Sequence, residues 1–378
     1  MSRSAYVAKT LIAPRTAPVR TTGVFGFVRT RLLNSPTNIL LTIACMLLLW
    51  FTVVPTVKFL LVDAVWQGSD RNACLPESVG RPVGACWPFI QAKFSQFIYG
   101  FYPEAERWRV DLTFLIGVLL LLPLLIPRVP AKAINAALFF FAFPFVAFFL
   151  LRGGYFGLAI VPTRLWGGML VTLVVAITGI VASMPVGVAL ALGRRSNIPL
   201  IRFGSIAFIE FWRGVPLITV LFFATYMLPL FLPGNFSIDG LVRVLIGVAL
   251  FAGAYNAEVI RGGLNAIPRG QAEAASALGL SWWKTTRLVV LPQALRHVIP
   301  GLVNSFIALL KDTSLVSIVA LFDLLGQLRA AFADPAWSSP STLFTGFAFT
   351  GIIYFVLCFG MSRYSLFVEH RLNAHRRS

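Results

Sequence analysis

The sequence predicts an all-α polytopic membrane protein of about eight transmembrane helices, and two observations carry that prediction. Of its 378 residues, 58% are hydrophobic and only 12% charged, whereas a soluble globular domain carries about 25% charged residues. The apolar residues also fall in blocks long enough to cross a hydrocarbon layer of about 30 Å, which takes about 20 helical residues. A mean hydropathy of +0.82 agrees with both.

Residues 1–38 are basic and broken by Pro14, Pro18 and Pro36 before any apolar run begins. They lack the layout of a cleavable signal peptide, so a basic cytoplasmic tail is expected and the first hydrophobic block is expected to remain as a span. Spans are predicted at 39–62, 111–127, 133–151, 166–192, 207–232, 241–261, 293–311 and 341–362. The third is unusually aromatic, with Phe139, Phe140, Phe141, Phe143, Phe145, Phe148 and Phe149 on every face of the helix. Such a helix is expected to meet lipid and neighbouring helices.

Loop charge sets the orientation. Arg3, Lys9, Arg15, Arg20, Arg29 and Arg31 precede the first span without an acid among them, which places the N-terminus in the cytoplasm. Alternation then puts 128–132, 193–206, 262–292 and the tail 369–378 on the same side. Each is net basic, through Arg128 and Lys132; Arg194, Arg195 and Arg202; Arg269, Lys284 and Arg287; and Arg371, Arg376 and Arg377. In the loop 63–110, by contrast, Arg71, Arg81, Lys93, Arg107 and Arg109 are offset by Asp63, Asp70, Glu77, Glu104 and Glu106, as suits a periplasmic segment. The net charge of +18 thus follows from membrane orientation, and a nucleic-acid partner is not expected.

The four cysteines show neither CxxC nor CxxCH spacing, so no metal or haem is expected. Cys45 and Cys358 lie in apolar blocks as small core residues. Cys74 and Cys86 share the periplasmic loop, where an oxidising compartment can join them across Pro76, Gly80, Pro82 and Gly84. Two unpaired thiols are the other reading. With only His297, His370 and His375, and no cluster of histidine and carboxylate, an enzyme is not expected.

Between the sixth and seventh spans, Arg261-Gly262-Gly263-Leu264-Asn265-Ala266-Ile267-Pro268-Arg269-Gly270-Gln271 leads into Glu273-Ala274-Ala275 and Leu278-Gly279. The composition predicts a short helix outside the membrane, with Pro268 in its first turn and Gly279 at its C-terminus. Ala272, Ala274, Ala275 and Ala277 let another surface approach closely; an amphipathic connector lying on the membrane is the plainer reading. Ser281 can cap the next helix, and Pro292 can start the following span.

The order Glu273-Ala274-Ala275, Gly279, Val289 and Leu291-Pro292 resembles the EAA loop of bacterial ABC-importer permeases, with Val289 where that family usually has isoleucine. More of the chain resembles the polar amino acid uptake branch: Leu165-Trp166-Gly167-Gly168 with Thr172, Glu210-Phe211-Trp212-Arg213-Gly214-Val215-Pro216, Ala257-Glu258-Val259-Ile260-Arg261-Gly262-Gly263, and Lys311-Asp312-Thr313-Ser314-Leu315. In the N-terminal third, Gly84-Ala85-Cys86-Trp87 and Glu106-Arg107-Trp108-Arg109 look like one membrane subunit of general L-amino acid or glutamate/glutamine/aspartate/asparagine importers.

The resemblance implies a five-helix permease core at 163–368, containing the coupling loop 262–292 and preceded by three extra helices within 39–162. It implies that Glu273, Ala274, Ala275 and Gly279 dock into a cytoplasmic ABC ATPase dimer. The other implied partners are a second homologous permease subunit, expected as a heterodimer, a periplasmic amino-acid-binding protein and membrane lipid. No GxxxxGK[ST] loop occurs, so no cofactor is expected on this chain and ATP is used by the partner subunit. A secondary amino-acid transporter or channel is the alternative, but neither needs an EAA loop.

Ionisable groups at membrane depth cost at least about 2.5–3.5 kcal/mol unless paired or wetted. Glu210, Arg213, Glu258, Lys311 and Asp312 therefore either form structural pairs, Glu210 with Arg213 and Lys311 with Asp312, or line the translocation path. An amino-acid substrate needs both an acceptor and a donor, which these residues with Tyr255, Asn256, Thr313 and Ser314 can supply.

Overall fold

The computed structural model of the protein describes residues 23–126, 129–231, 233 and 238–374. Arg3, Lys9, Arg15, Arg20, Arg128, Arg376 and Arg377 lie outside them. The principal helices are α1 (Pro36–Val62), α2 (Trp87–Tyr99), α3 (Glu104–Leu125), α4 (Lys132–Arg152), α5 (Gly168–Gly193), α6 (Pro199–Gly214), α7 (Leu217–Phe231), α8 (Gly240–Asn265), α9 (Arg269–Ala277), α10 (Leu291–Asp312), α11 (Leu324–Phe332) and α12 (Pro340–Ala374). Among the described residues, seven helices are long and apolar enough to cross a membrane, and the bent pair α6–α7 makes an eighth.

The predicted span 207–232 is corrected by that bent pair. The chain breaks at Val215, where α6 and α7 meet at 102°. Pro216 is the cause: a residue before proline is pushed out of the helical region, and Val215 is extended at φ −104°, ψ 133°. Residues 207–214 of the run therefore belong to α6, whose buried face is Ser205 and Ile209 while Leu200, Phe203 and Phe211 are exposed. The second span also starts earlier than 111, because Glu104–Glu106 form a turn of helix leading into α3.

α1 starts where Ser35 accepts a hydrogen bond from the Asn38 amide with Pro36 in the first turn. None of its residues is buried. The core lies instead around α5 and α8. Their axes approach closely because small residues meet there: a Cβ on Gly253 would come within 2.6 Å of Val186, and one on Gly187 within 2.9 Å of the Asn256 side chain. Small residues permit this approach in a membrane, where backbone packing replaces hydrophobic drive.

The loop after α1 is an ordered cap. Cys74 and Cys86 are joined by a disulfide with Cα atoms 5.7 Å apart. The sequence did not suggest α2, which follows directly and ends at Gly100, left-handed at φ +67° and pressed against Gly167. Phe89 and Phe97 of α2 are buried against Leu324, Leu328 and Trp337. Polar bonds fasten the same contact: the Cys86 amide donates to Thr345 Oγ1 at 2.8 Å, the Arg71 amide to the Ala336 carbonyl at 2.9 Å, and Gln96 Nε2 to Gln327 Oε1 at 3.0 Å. Lys93 pairs with Asp334 at 2.5 Å and holds its carboxyl below the usual carboxylate range. A lowered carboxyl contributes stability above its unfolded value and loses it as pH falls, so this bond persists through mildly acidic conditions.

Candidate functional site

Three clusters gather the predicted site residues. The first is the short helix α9 between α8 and α10. Pro268 sits at its N-cap, one position before the first turn, and Gly279 ends it in the left-handed region at φ +76°, its amide bonded to the Ser276 carbonyl. Ser281 caps the next turn by accepting from the Lys284 amide, and Pro292 stands in the first turn of α10. Ala275 is buried against the protein, whereas Glu273, Ala274 and Gly279 face outward. Leu278 is 82% exposed and Trp283 69%. This is a narrow, small-residue surface rimmed by apolar side chains.

The second cluster lies where α5, α6 and α8 end together. Arg194 Nη1 donates to Glu258 Oε1 at 2.7 Å and to Glu210 Oε1 at 3.1 Å. Arg261 closes on Glu258 through Nε and Nη2 at 3.0 and 2.8 Å. The expected Glu210–Arg213 pair is not formed: the guanidinium of Arg213 lies 5.7 Å from the Tyr255 ring centroid. The break at Val215 ends α6 at this point, and Arg194, one residue beyond α5, reaches Glu210 first. Arg194, counted in the sequence only as a loop charge, is thus the hub of the cluster.

The third grouping lies deeper. Tyr255, Asn256, Ser305 and Asp312 line a cavity of about 220 Å³, with Phe251 and Leu309 as its apolar walls. Asn256 is 1% exposed; its Nδ2 donates to Ser183 Oγ at 3.0 Å, while Oδ1 has no partner among the described residues. The expected Lys311–Asp312 pair is also absent among the described residues. Consecutive residues at the end of a helix point about 100° apart, which follows from 3.6 residues per turn. Accordingly Lys311 lines a separate cavity of about 260 Å³ with Ser314, Thr350 and Tyr354.

Thr313 is fully buried and within 3.2 Å of the Tyr354 hydroxyl, which donates to Asp323 Oδ2 at 3.1 Å. Asp323 is the residue the sequence reading missed. Its carboxylate caps α11 by accepting from the Leu325 and Gly326 amides, at 3.1 and 2.9 Å. An aspartate just before Leu324-Leu325-Gly326-Gln327 is a helix-start signal. Burial pushes its carboxyl up, while the two amide bonds pull it down.

Residues 183–374 match the family described as Binding-protein-dependent transport system inner membrane component. The inner membrane amino-acid ABC transporter permease protein YhdY of Escherichia coli K12 is 48% identical over 96% of this chain and 97% of its own length. The glutamate/glutamine/aspartate/asparagine transport system permease protein BztC of Rhodobacter capsulatus is 38% identical over the whole of both chains. A shorter relative, the probable glutamine ABC transporter permease protein GlnP of Bacillus subtilis, is 33% identical over 52% of this chain and 88% of its own. With a membrane-spanning helical core, an outward-facing α9 and near full-length relatives of this kind, the chain belongs to the binding-protein-dependent transport system inner membrane component family, as a multi-pass inner-membrane permease of an ABC importer.

Proposed function

We propose that this chain forms one half of the permease of an ATP-driven importer for polar and general L-amino acids, paired as a heterodimer with a second homologous permease subunit. The observation that carries the reading is the match to an amino-acid permease along 96% of the chain. A periplasmic binding protein delivers the amino acid, and a cytoplasmic ATPase dimer supplies the ATP, docking on Glu273, Ala274, Ala275 and Gly279. The chain itself binds no nucleotide.

Within the membrane, the cavity between α8 and α10 meets the amino acid. Its polar groups suit that chemistry, since the Asp312 carboxylate accepts from the ammonium and Asn256 Oδ1 is an acceptor with no hydrogen-bond partner among the described residues. Tyr255 supplies a hydroxyl, and its ring carries Arg213, a cation for the carboxylate. Lys311, Thr313 and Ser314 flank the route on the other side of α10. Glu210 and Glu258 lie toward the end nearest α9 and are held by Arg194. A strain lacking this chain is expected to lose accumulation of radiolabelled polar L-amino acids, which wild-type protein restores and Asp312→Asn restores only in part. Full accumulation across the amino-acid panel in the deletion strain would refute the assignment.

Both termini and α9 are assigned to the cytoplasm and the cap to the periplasm. The support is the basic excess around α9 and the disulfide in the cap, since such bonds persist in oxidising compartments. Single cysteines placed at exposed positions in 66–100 should react with an impermeant maleimide from outside intact cells, and those in 264–286 should not. Cys74 and Cys86 should alkylate only after reduction. Reversed labelling overturns the orientation.

A further inference from the structure

The turn between α4 and α5 is built with more care than a connector needs. Gly154 N donates to the Leu158 carbonyl at 2.9 Å, Leu158 N to Tyr155 at 3.0 Å, and Val161 N to Arg152 at 2.8 Å. Beneath it Arg109, 1% exposed, pairs with Glu106 at 2.6 Å and donates from Nη1 to the Ala159 carbonyl at 2.8 Å. Gly153 makes this approach possible: at φ +72°, a Cβ there would lie 2.1 Å from the Ala159 oxygen and 2.8 Å from Arg109 Nη1.

What this scaffold presents is apolar. Phe156 at the tip is 98% exposed, Ile160 68% and Tyr155 57%. Phe156 is also left-handed, at φ +54°, a conformation that bulky residues rarely adopt. Strain of this kind persists where the surroundings impose it, and it marks sites of function. Glycine stands on either side of Tyr155-Phe156, at 154 and 157, yet the strained tip position itself carries a phenyl ring.

We propose that Tyr155, Phe156 and Ile160 form a wedge that inserts into the phospholipid interface at the end of α4 and fixes the depth of α3 and α4 in the bilayer. Position and charge select lipid as the occupant. α4 has 21 residues and is apolar but for Lys132, Asn135 and Arg152; at 1.5 Å per residue it is about 31 Å long, close to the hydrocarbon thickness of about 30 Å. Its last residue, Arg152, therefore lies at the interface, and the turn follows at once. Arg152 and Arg164 flank the tip, both exposed, and no acid occurs between Asp111 and Glu210. Apolar aromatic groups between two cations match acyl chains beneath phosphate headgroups. Trp108, 49% exposed next to Arg109, adds an interfacial ring at the same level.

The test keeps an aromatic at the tip. Benzoylphenylalanine replaces Phe156 in the full chain, assembled with its partner subunits in nanodiscs of phosphatidylethanolamine and phosphatidylglycerol. It replaces Leu47 in α1 as a lipid-facing control and exposed Ser78 in the cap as an aqueous one. After irradiation, mass spectrometry should find phospholipid adducts at 156 at a yield comparable to position 47 and severalfold above position 78. Crosslinking of position 156 to another protein subunit would assign the tip to a protein interface and overturn the proposal. So would an adduct yield no higher than that at position 78, which would place the tip in water.

Discussion

Replacing Gly279 with tryptophan should abolish amino-acid uptake while the protein remains inserted at wild-type abundance. The expected loss comes from two separate causes. Gly279 is left-handed at φ +76°, and an L side chain there costs about 1–2 kcal/mol, confined to the end of a nine-residue helix that packs through one buried residue, Ala275. Among the described residues nothing lies within 4 Å of a Cβ at this position, so the indole leaves the backbone into open space on the surface that carries Glu273 and Ala274. Overpacking a fitted contact costs about 1–3 kcal/mol, which is about five- to 150-fold in docking affinity. Gly279→Asn separates the causes, because asparagine tolerates the left-handed region and is small. Measured as radiolabelled uptake and as substrate-stimulated ATP hydrolysis in vesicles, Asn should retain most activity and Trp almost none. Equal uptake by Gly279→Trp and wild type, at matched abundance, would remove α9 as the coupling surface.

The second large effect is expected at Glu258. Its carboxylate answers two guanidinium groups, Arg194 at 2.7 Å and Arg261 at 2.8 Å, and its side chain is only 16% exposed. Breaking one partner of a fully buried pair costs about 3–5 kcal/mol. Arg194 and Arg261 retain 25% and 37% exposure, so solvent reduces the expected cost of Glu258→Gln to about 1–3 kcal/mol. Glu210 is 56% exposed and holds Arg194 through one oxygen, so Glu210→Gln should cost less than about 1 kcal/mol. Thermal unfolding of the purified complex measures both, and a double substitution with Arg194→Gln should show coupling to Glu258 larger than coupling to Glu210. Equal shifts for the two single variants would mean that Arg194 does not organise this corner. Uptake by Glu258→Gln should fall along with stability, since the cluster joins the ends of α5, α6 and α8.

Much of the fold was legible because a bilayer demands long apolar helices, and that signal survives without an alignment. The spans around α1, α4, α5 and α8 fall within a few residues of their predicted places, whereas α12 starts as predicted but runs on to Ala374, well past 362. The failures share one cause: periodicity and composition do not report direction. The run 207–232 is mostly apolar, with Glu210 and Arg213 as its charges, and only Pro216 betrays the 102° turn. Sequence proximity does not set ion-pair partners: Glu210 pairs with Arg194, sixteen residues away, and Asp312 pairs with none of the described residues. The capped helix α2 escaped notice because its burial depends on α11 and α12, more than 200 residues further along. Tyr255, Asn256 and Asp312 were named for their chemistry, but only the pairing of α8 with α10 brings them to one cavity.

The cap has a mechanical corollary. It bridges three helix ends at once, packing on α5 through α2, on α11 through Gln96 and Phe89, and on α12 through the Cys86 and Cys74 backbones. Gly168, the first residue of α5, donates in turn to the Phe322 carbonyl just before α11. These three ends form a triangulated frame, in which no member can tilt without stretching a bond to the other two. The cap thereby couples the ends of α5, α11 and α12, so a shift at any one of the three is passed to the others.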